Sequence, residues 1–306
     1  MSTGTSIWQD LKGEFSKDNT ITKLIFINIV VFIVMNVGFF ILNKGFNNPV
    51  LAANFYSFFT IPADLGKLIT RPWTILTHMF AHSGIFHILF NMLWFFWMGK
   101  ILREYIGDRK ILPIYIYGAL TGALFYILFY NLLPGFSNEV GGAEALGASA
   151  AVMAIIVATA TLLPDYTIFL FIIGPVKLKW IAVFAIILDI VGINGLNAGG
   201  SMAHMGGAVF GFIFIRQLQS GNDLSKGFNI FMDKLSGWFS MKRTPTIAYK
   251  NTGKAVPSIR KTTHKSVVEE SRQEKLDAIL DKIHRSGYDS LTEEEKEFLF
   301  RVSKDE

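Results

Sequence analysis

Ala145-Leu146-Gly147-Ala148-Ser149-Ala150-Ala151-Val152-Met153-Ala154 opens an uncharged run that lasts to Pro164. About 20 apolar residues are enough to cross a bilayer as a helix, so the run reads as a membrane helix with Ser149 inside it. The glycine and alanines around Ser149 leave the backbone uncovered and the hydroxyl accessible, which suits a nucleophile. Small residues of this kind also let membrane helices pack closely, and for Gly147 to Ala150 alone close packing is the simpler account. The balance turns on a distant histidine, His204 in Ala203-His204-Met205-Gly206-Gly207, and on whether the fold brings it to Ser149.

Of the 306 residues, 51% are hydrophobic. They come in long blocks, the pattern of an all-α polytopic membrane protein. Cysteine is absent, which excludes a thiol nucleophile, a disulfide framework and a cysteine-held metal. Residues 1–20 mix Lys12 and Lys17 with Asp10, Glu14 and Asp18. No short apolar core with a small-residue cleavage site follows, so they read as a cytosolic N-terminal segment rather than a signal or transit peptide. The net charge of +5 comes with a basic stretch near the C-terminus and gives no reason to invoke nucleic acid.

The first membrane helix is expected from Leu24 to Asn43, between Lys23 and Lys44 as basic anchors. Residues 44–82 contain an aromatic, amphipathic run, Leu51 to Phe59, then Pro62, Asp64 and Arg71-Pro72-Trp73. Proline and charge interrupt this segment before a full span, so it is expected in the membrane interface. Helix two runs from about Ser83 to Gly99 and on to Arg103, helix three from about Ile111 to Leu133, and helix four is the Ser149 run. Tyr166 to Val176 is apolar but only eleven residues long, with Gly174-Pro175 near its end, so it reads as an extended or re-entrant connector. Helix five is Trp180 to Asn194, carrying Asp189, and helix six is Ser201 to Ile215.

Six spans place both termini on one side. With the N-terminus inside, the inner segments carry Lys12, Lys17, Lys23, Lys100, Arg103, Arg109, Lys110, Lys177 and Lys179, and the outer loops only Lys44, Lys67 and Arg71. An excess of Lys and Arg marks the cytoplasmic side, so both termini are expected in the cytosol. Residues 220–240 read as a juxtamembrane amphipathic segment, with Phe228, Phe231, Leu235, Trp238 and Phe239 on one face. Residues 241–265 carry seven Lys or Arg and no acid. They read as a flexible basic linker, either lying against anionic lipid or simply solvated. Residues 266–306 regain helical pattern through Leu276, Ile279, Leu280 and Ile283. Thr292 with Glu295 forms a capping box ahead of Phe298 and Leu299, and the expectation is a small cytosolic helical hairpin whose partner is unknown.

This topology puts His87 and Asn91 near the outer end of helix two, Ser149 near that of helix four and His204 near that of helix six. His87 and Asn91 are four apart and share a helical face. Polar side chains inside a membrane are costly and normally face a bundle interior or a water-filled cavity. A serine hydroxyl needs a base to take its proton, and neutral histidine is the usual one. Attack on a peptide carbonyl creates an oxyanion, for which His87, the Asn91 amide and the Ser149 backbone N–H at a helix N-terminus are candidate donors.

With these pieces in order the chain resembles a rhomboid intramembrane serine protease. The likeness covers about Ile21 to Gln219, the six-helix core. It rests on Arg71-Pro72-Trp73 leading into Thr77-His78-Met79-Phe80-Ala81-His82, on Phe86-His87-Ile88-Leu89-Phe90-Asn91-Met92, on Gly147 to Ala150, and on Ala203-His204 with Gly207 and Gly211 beyond. The resemblance implies a Ser149–His204 dyad, an oxyanion and substrate-stabilising site of His87 and Asn91 with Ala148 beside them, and a lateral gate at helix five. It also implies close helix packing at Gly147, Gly207 and Gly211, neither metal nor cofactor, and transmembrane protein substrates cut in or near the bilayer. The expected location is a bacterial inner (plasma) membrane, multi-pass, with the active site opening to the extracytoplasmic side. Two positions depart from the family's pattern: Ala150 stands where glycine is common, and Met153 where an aromatic residue usually packs on the histidine.

Several rivals are open at this level. Asp189 is either a third member orienting His204 or, as a simpler reading, a gate residue facing water. His78, His82 and His87 suggest a metal site, but no HExxH helix or carboxylate accompanies them, and His78 and His82 are expected at the interface. His264 and His284 read as solvated tail residues. A different class is a non-proteolytic rhomboid-like protein that binds membrane clients, or a small transporter using the same polar cavity.

Overall fold

The computed structural model describes residues 19–170, 173–193, 195, 197–239 and 265–304. Most of the expected N-terminal segment, nearly all of the basic linker, and His264 lie outside the described residues. The chain divides into two units, residues 1–242 and 243–306.

In the first unit helix α1 (Thr20–Phe40) ends in a short π turn, Ile41–Gly45. Asn19 caps α1 by accepting the Thr22 N–H, and Asp108 accepts the Thr20 N–H at 3.1 Å. Four short elements follow: α2 (Pro49–Ser57), β1 (Ile61–Pro62), α3 (Leu65–Thr70) and α4 (Thr74–Thr77). Then come the long helices α5 (Ile85–Ile106) and α6 (Ile111–Leu132), the two-residue strand β2 (Glu144–Ala145) and α7 (Ser149–Leu162). A hairpin, β3 (Thr167–Leu170) with β4 (Gly174–Lys177), leads to α8 (Leu178–Gly192), α9 (Ala198–Gln219) and α10 (Ser225–Phe239). The apolar connector expected over 166–176 is thus an antiparallel hairpin in which Thr167 pairs with Lys177. Pairing its own backbone groups is how an eleven-residue apolar segment avoids leaving them unsatisfied.

Among the described residues four helical stretches are long and apolar enough to cross a membrane: Thr20–Gly45, Ile85–Ile106, Asp108–Leu132 and Ala198–Gln219. The chain is a mostly helical membrane protein. Helix α7 is shorter than the sequence suggests, 14 residues in place of a span from Ala145, about 21 Å at 1.5 Å per residue. The reason is Gly147, whose φ of 129° lies in a region that only glycine adopts freely, so the helix begins two residues later. Residue 145 instead pairs with Ile61 of β1, and Glu144 with Pro62.

Helix α7 is the centre of the unit. It packs on α5, α6 and α9, and the most extensive helix pairings are α9 with α6 and α9 with α7. These approaches are backbone-close. A Cβ on Gly207 would lie 2.0 Å from the Ala150 carbonyl oxygen, and one on Gly211 2.2 Å from that of Ala154. From the other side, Cβ atoms on Gly118 and Gly122 of α6 would lie 2.4 and 2.5 Å from the Cβ atoms of Ala154 and Ala150. Two glycine pairs at four-residue spacing therefore clasp one alanine pair at the same spacing, the close contact that small residues permit between membrane helices. Inside the bundle the fully buried Tyr115 bridges elements, donating to the Met79 carbonyl at 2.9 Å and accepting from Asn28 Nδ2 at 3.1 Å.

The second unit holds α11 (Lys265–Ser286) and α12 (Glu293–Lys304). The capping box is formed: Thr292 N–H donates to Glu295 Oε2 at 2.8 Å, and Glu295 N–H to Thr292 Oγ1 at 3.3 Å. Lys282 of α11 reaches the same carboxylate at 2.8 Å, and Ile279 and Leu291 are buried within the hairpin.

Candidate active site

Ser149 is the first residue of α7, and the turn that delivers it is held from behind. Gly147 N–H donates to the His78 carbonyl at 2.8 Å, and Ala148 N–H points at His82 Nε2 at 3.5 Å. His78 donates from Nδ1 to the Thr74 carbonyl at 2.9 Å, and His82 from Nδ1 to that of Phe80 at 3.3 Å. A neutral imidazole that donates from Nδ1 accepts at Nε2, so His82 is in the tautomer that can receive the Ala148 amide. Both histidines are buried, His82 completely. Burial pushes His78 down to about 4, against its bonds to the Thr74 and Ile75 carbonyls. Burial and the neighbouring His87 push His82 down to about 3. Both stay neutral at ordinary pH. The Arg71–Glu144 pair at 3.1 Å, with the Thr60 hydroxyl on the same carboxylate, fixes β2 just upstream.

In front of Ser149 opens a cavity of about 1160 Å³, whose lining includes Ser149, His87, Asn91, His204, Tyr126 and Glu144. His87, Asn91, Ser149 and His204, from α5, α7 and α9, thus share one space. A Cβ on Gly147 would lie 3.0 Å from His87 Nε2 and 3.6 Å from Ser149 Oγ, so glycine there also keeps the floor of the cavity open. Ser83 Oγ lies 3.3 Å from His87 Nδ1, and the Asn91 amide nitrogen donates to the His87 carbonyl one turn back at 2.9 Å. Ala148 is fully buried with its amide turned to His82, which leaves the first-turn amides of α7, outside the helical ladder, as the backbone donors nearest Ser149.

Ser149 and His204 face the same cavity without a hydrogen bond between them. His204 is engaged through its other edge: Nδ1 is 2.7 Å from Asp189 Oδ1. Asp189 is buried, 8% exposed, and does not face water as the simpler sequence reading has it. Two more large side chains of α8, Trp180 and Phe184, close the cavity's flank and are themselves exposed on the outer surface.

The rhomboid domain family matches residues 70–219, the stretch that holds His87, Asn91, Ser149, Asp189 and His204. The chain carries a rhomboid domain. Among rhomboid relatives it is 31% identical over 199 residues to RHOMBOID-like protein 12, mitochondrial, of Arabidopsis thaliana, covering 62% of this chain and 57% of that one. It is 38% identical over 87 residues to Rhomboid protease GlpG of Salmonella newport, covering 23% and 32% respectively. It is 30% identical over 82 residues to Inactive RHOMBOID-like protein 8 of Arabidopsis thaliana, covering 27% and 23%. The chain therefore spans less than two thirds of the length of these relatives. A separate family of unknown function matches residues 268–305, the tail hairpin.

Sequence reasoning gave too little weight to two parts of this rhomboid site. The buttress of His78 and His82 had a signal in their four-residue spacing just before helix α5. The Asp189–His204 contact had one in an acid standing inside an otherwise apolar helix.

Proposed function

We propose that the chain is an intramembrane serine endopeptidase that hydrolyses peptide bonds in or near transmembrane segments of other membrane proteins. The observation that carries the reading is that Ser149, at a helix N-terminus, and His204 line one cavity with His87 and Asn91. In this reading Ser149 Oγ attacks the scissile carbonyl carbon and its proton passes to His204 Nε2. His204 then gives the proton to the leaving amine, and water, deprotonated by the same imidazole, releases the acyl group from Ser149. The oxyanion is met by His87, Asn91 and first-turn amides of α7. The resting separation of Ser149 and His204 suits an enzyme whose hydrogen bonds tighten when substrate binds.

The wider assignment goes with it. Helices α1, α5, α6, α7, α8 and α9 make six spans over residues 21–219, followed by the juxtamembrane segment 220–240, the linker 241–265 and the tail 266–306. The membrane is a bacterial inner membrane, with both termini cytosolic and the cavity open to the extracytoplasmic side. Substrates enter laterally beside α8 and unwind locally, since a helix shields its own carbonyls.

A non-proteolytic role has one observation in its favour, the missing Ser149–His204 hydrogen bond. The deciding experiment is cleavage of a transmembrane substrate by reconstituted protein, with Ser149→Ala and His204→Ala alongside, and fluorophosphonate labelling of each. Loss of cleavage in both variants, with labelling lost in Ser149→Ala, is expected. An unlabelled, inactive parent that still retains membrane clients would assign the cavity to binding.

A further inference from the structure

We infer that Asp189 is a positioning residue for His204, which makes the reactive pair a three-residue relay with its acid supplied by α8. The inference rests on the hydrolase reading above. Its first support is the 2.7 Å contact between Asp189 Oδ1 and His204 Nδ1. A carboxylate accepts and cannot donate, so the imidazole must carry its proton on Nδ1. The lone pair is then on Nε2, the nitrogen left to take the Ser149 proton.

The second support is cost. Asp189 is buried, and its Oδ2 has no hydrogen-bond partner among the described residues. A buried, half-satisfied carboxylate in an apolar helix is a poor way to join two helices, since an apolar pair of the same size would serve at least as well. It becomes useful if the histidine must bear a positive charge during turnover, which the carboxylate then faces directly.

The third support is register. Gly192 lies three residues after Asp189, and Ser201 lies three before His204. A Cβ on Gly192 would sit 2.6 Å from Ser201 Oγ. The neighbouring helices α8 and α9 therefore touch at two matched places, one a glycine contact that keeps them close and the other the acid–histidine pair.

The test uses the full chain in lipid nanodiscs. Nitrogen-15 NMR of labelled histidine, with His204 identified by its loss in His204→Gln, reads the tautomer directly. The inference expects the proton on Nδ1, and a proton on Nε2 overturns it. In parallel, Asp189→Asn offers His204 a donor and favours the wrong tautomer. It should lower kcat by about 10²–10⁴-fold with KM changed less than about twofold, while Asp189→Glu recovers part of the loss. An Asn variant with parental kcat, or one whose whole effect is on KM, overturns the inference. If Asp189→Asn does not fold, the parental tautomer decides. If the parent neither cleaves nor labels at Ser149, the hydrolase reading fails on its own, and the tautomer measurement still reports whether Asp189 holds the ring.

Discussion

Helices α7 and α8 are alike in length and apolar character, 14 and 15 residues, yet they live in opposite surroundings. Every residue of α7 from Ala150 to Ala160 is buried, whereas in α8 only Leu178, Ile181, Ala182 and Asp189 are. The difference lies in side-chain size. Helix α7 presents Ala150 and Ala154 to glycines on both sides, so backbones meet, while α8 turns Phe184, Leu188 and Val191 outward, 62%, 55% and 70% exposed, where hydrocarbon would meet them. Without a hydrophobic driving force between helices in lipid, close packing of small residues is what holds a bundle together. Ser149 and His204 thus sit on the tightly held helices, and the acid that touches His204 comes from the loosely held one.

The sharpest way to break this contrast is to add a methyl group where α9 meets α7. Gly207→Ala places a Cβ against a backbone carbonyl that cannot swing aside. It should destabilise the protein by about 1–3 kcal/mol or more, read as a fall in thermal unfolding temperature in detergent and lost substrate cleavage. Gly135→Ala, with nothing within 4 Å of the new atom, should change neither. Equal behaviour of the two variants would mean that α7 is not clasped.

The next effect concerns the turn that leads into α7. Because His78 is held down at about 4 when folded and takes up a proton near 6.5 when unfolded, the unfolded chain binds more protons between these values. Its contribution is therefore complete above pH 6.5 and is lost as pH falls through about 4, a swing of about 3 kcal/mol. His78→Gln should flatten that part of the stability-against-pH curve measured by denaturant unfolding. An unchanged slope would show that some other group is responsible.

How far these arrangements can be read from sequence follows from the same contrast. The long helices α1, α5, α6 and α9 announce themselves by apolar length, and Ser149, His87, Asn91 and His204 by being polar where polarity is costly. The start of α7 was not legible, because an uncharged run does not reveal that Gly147 has a positive φ. Asp189 was visible as an oddity with His204 as one candidate partner, but the contact itself was not. Fifteen residues and a turn separate it from His204, and only the register set at Gly192 and Ser201 shows that the two meet. His78 and His82 look like ordinary interfacial histidines until the backbone of Gly147 and Ala148 is seen lying on them.

Helix α8 supplies the converse test. Phe184→Ala removes a ring that lines the cavity but is mostly exposed on the outside, so unfolding stability should stay within about 0.5 kcal/mol of the parent. On the proposed lateral entry, cleavage of a membrane-embedded substrate should rise several-fold, while a soluble peptide gains less. If stability drops as far as in Gly207→Ala, α8 is as firmly packed as α7 and the contrast fails.

The smallest effect is expected in the tail, where charge rather than close packing joins two helices. Lys282 on α11 and the Thr292 N–H both reach the Glu295 carboxylate. The Lys282 contact first, then the Thr292 amide, hold that carboxyl below its ordinary value of 4.5. A depressed folded value means that the contact stabilises the hairpin above the unfolded value and is lost as pH falls through the folded one. Exposed pairs of this kind contribute little, so the readout must be local: the amide signals of Ile279 and Leu291 in the full chain, followed from pH 7 downward. They should hold to below the usual carboxylate range in the parent. In Glu295→Gln they should already be weakened at pH 7 and lack that step, whereas identical titrations would mean that the buried pair, not the charges, fastens α11 to α12.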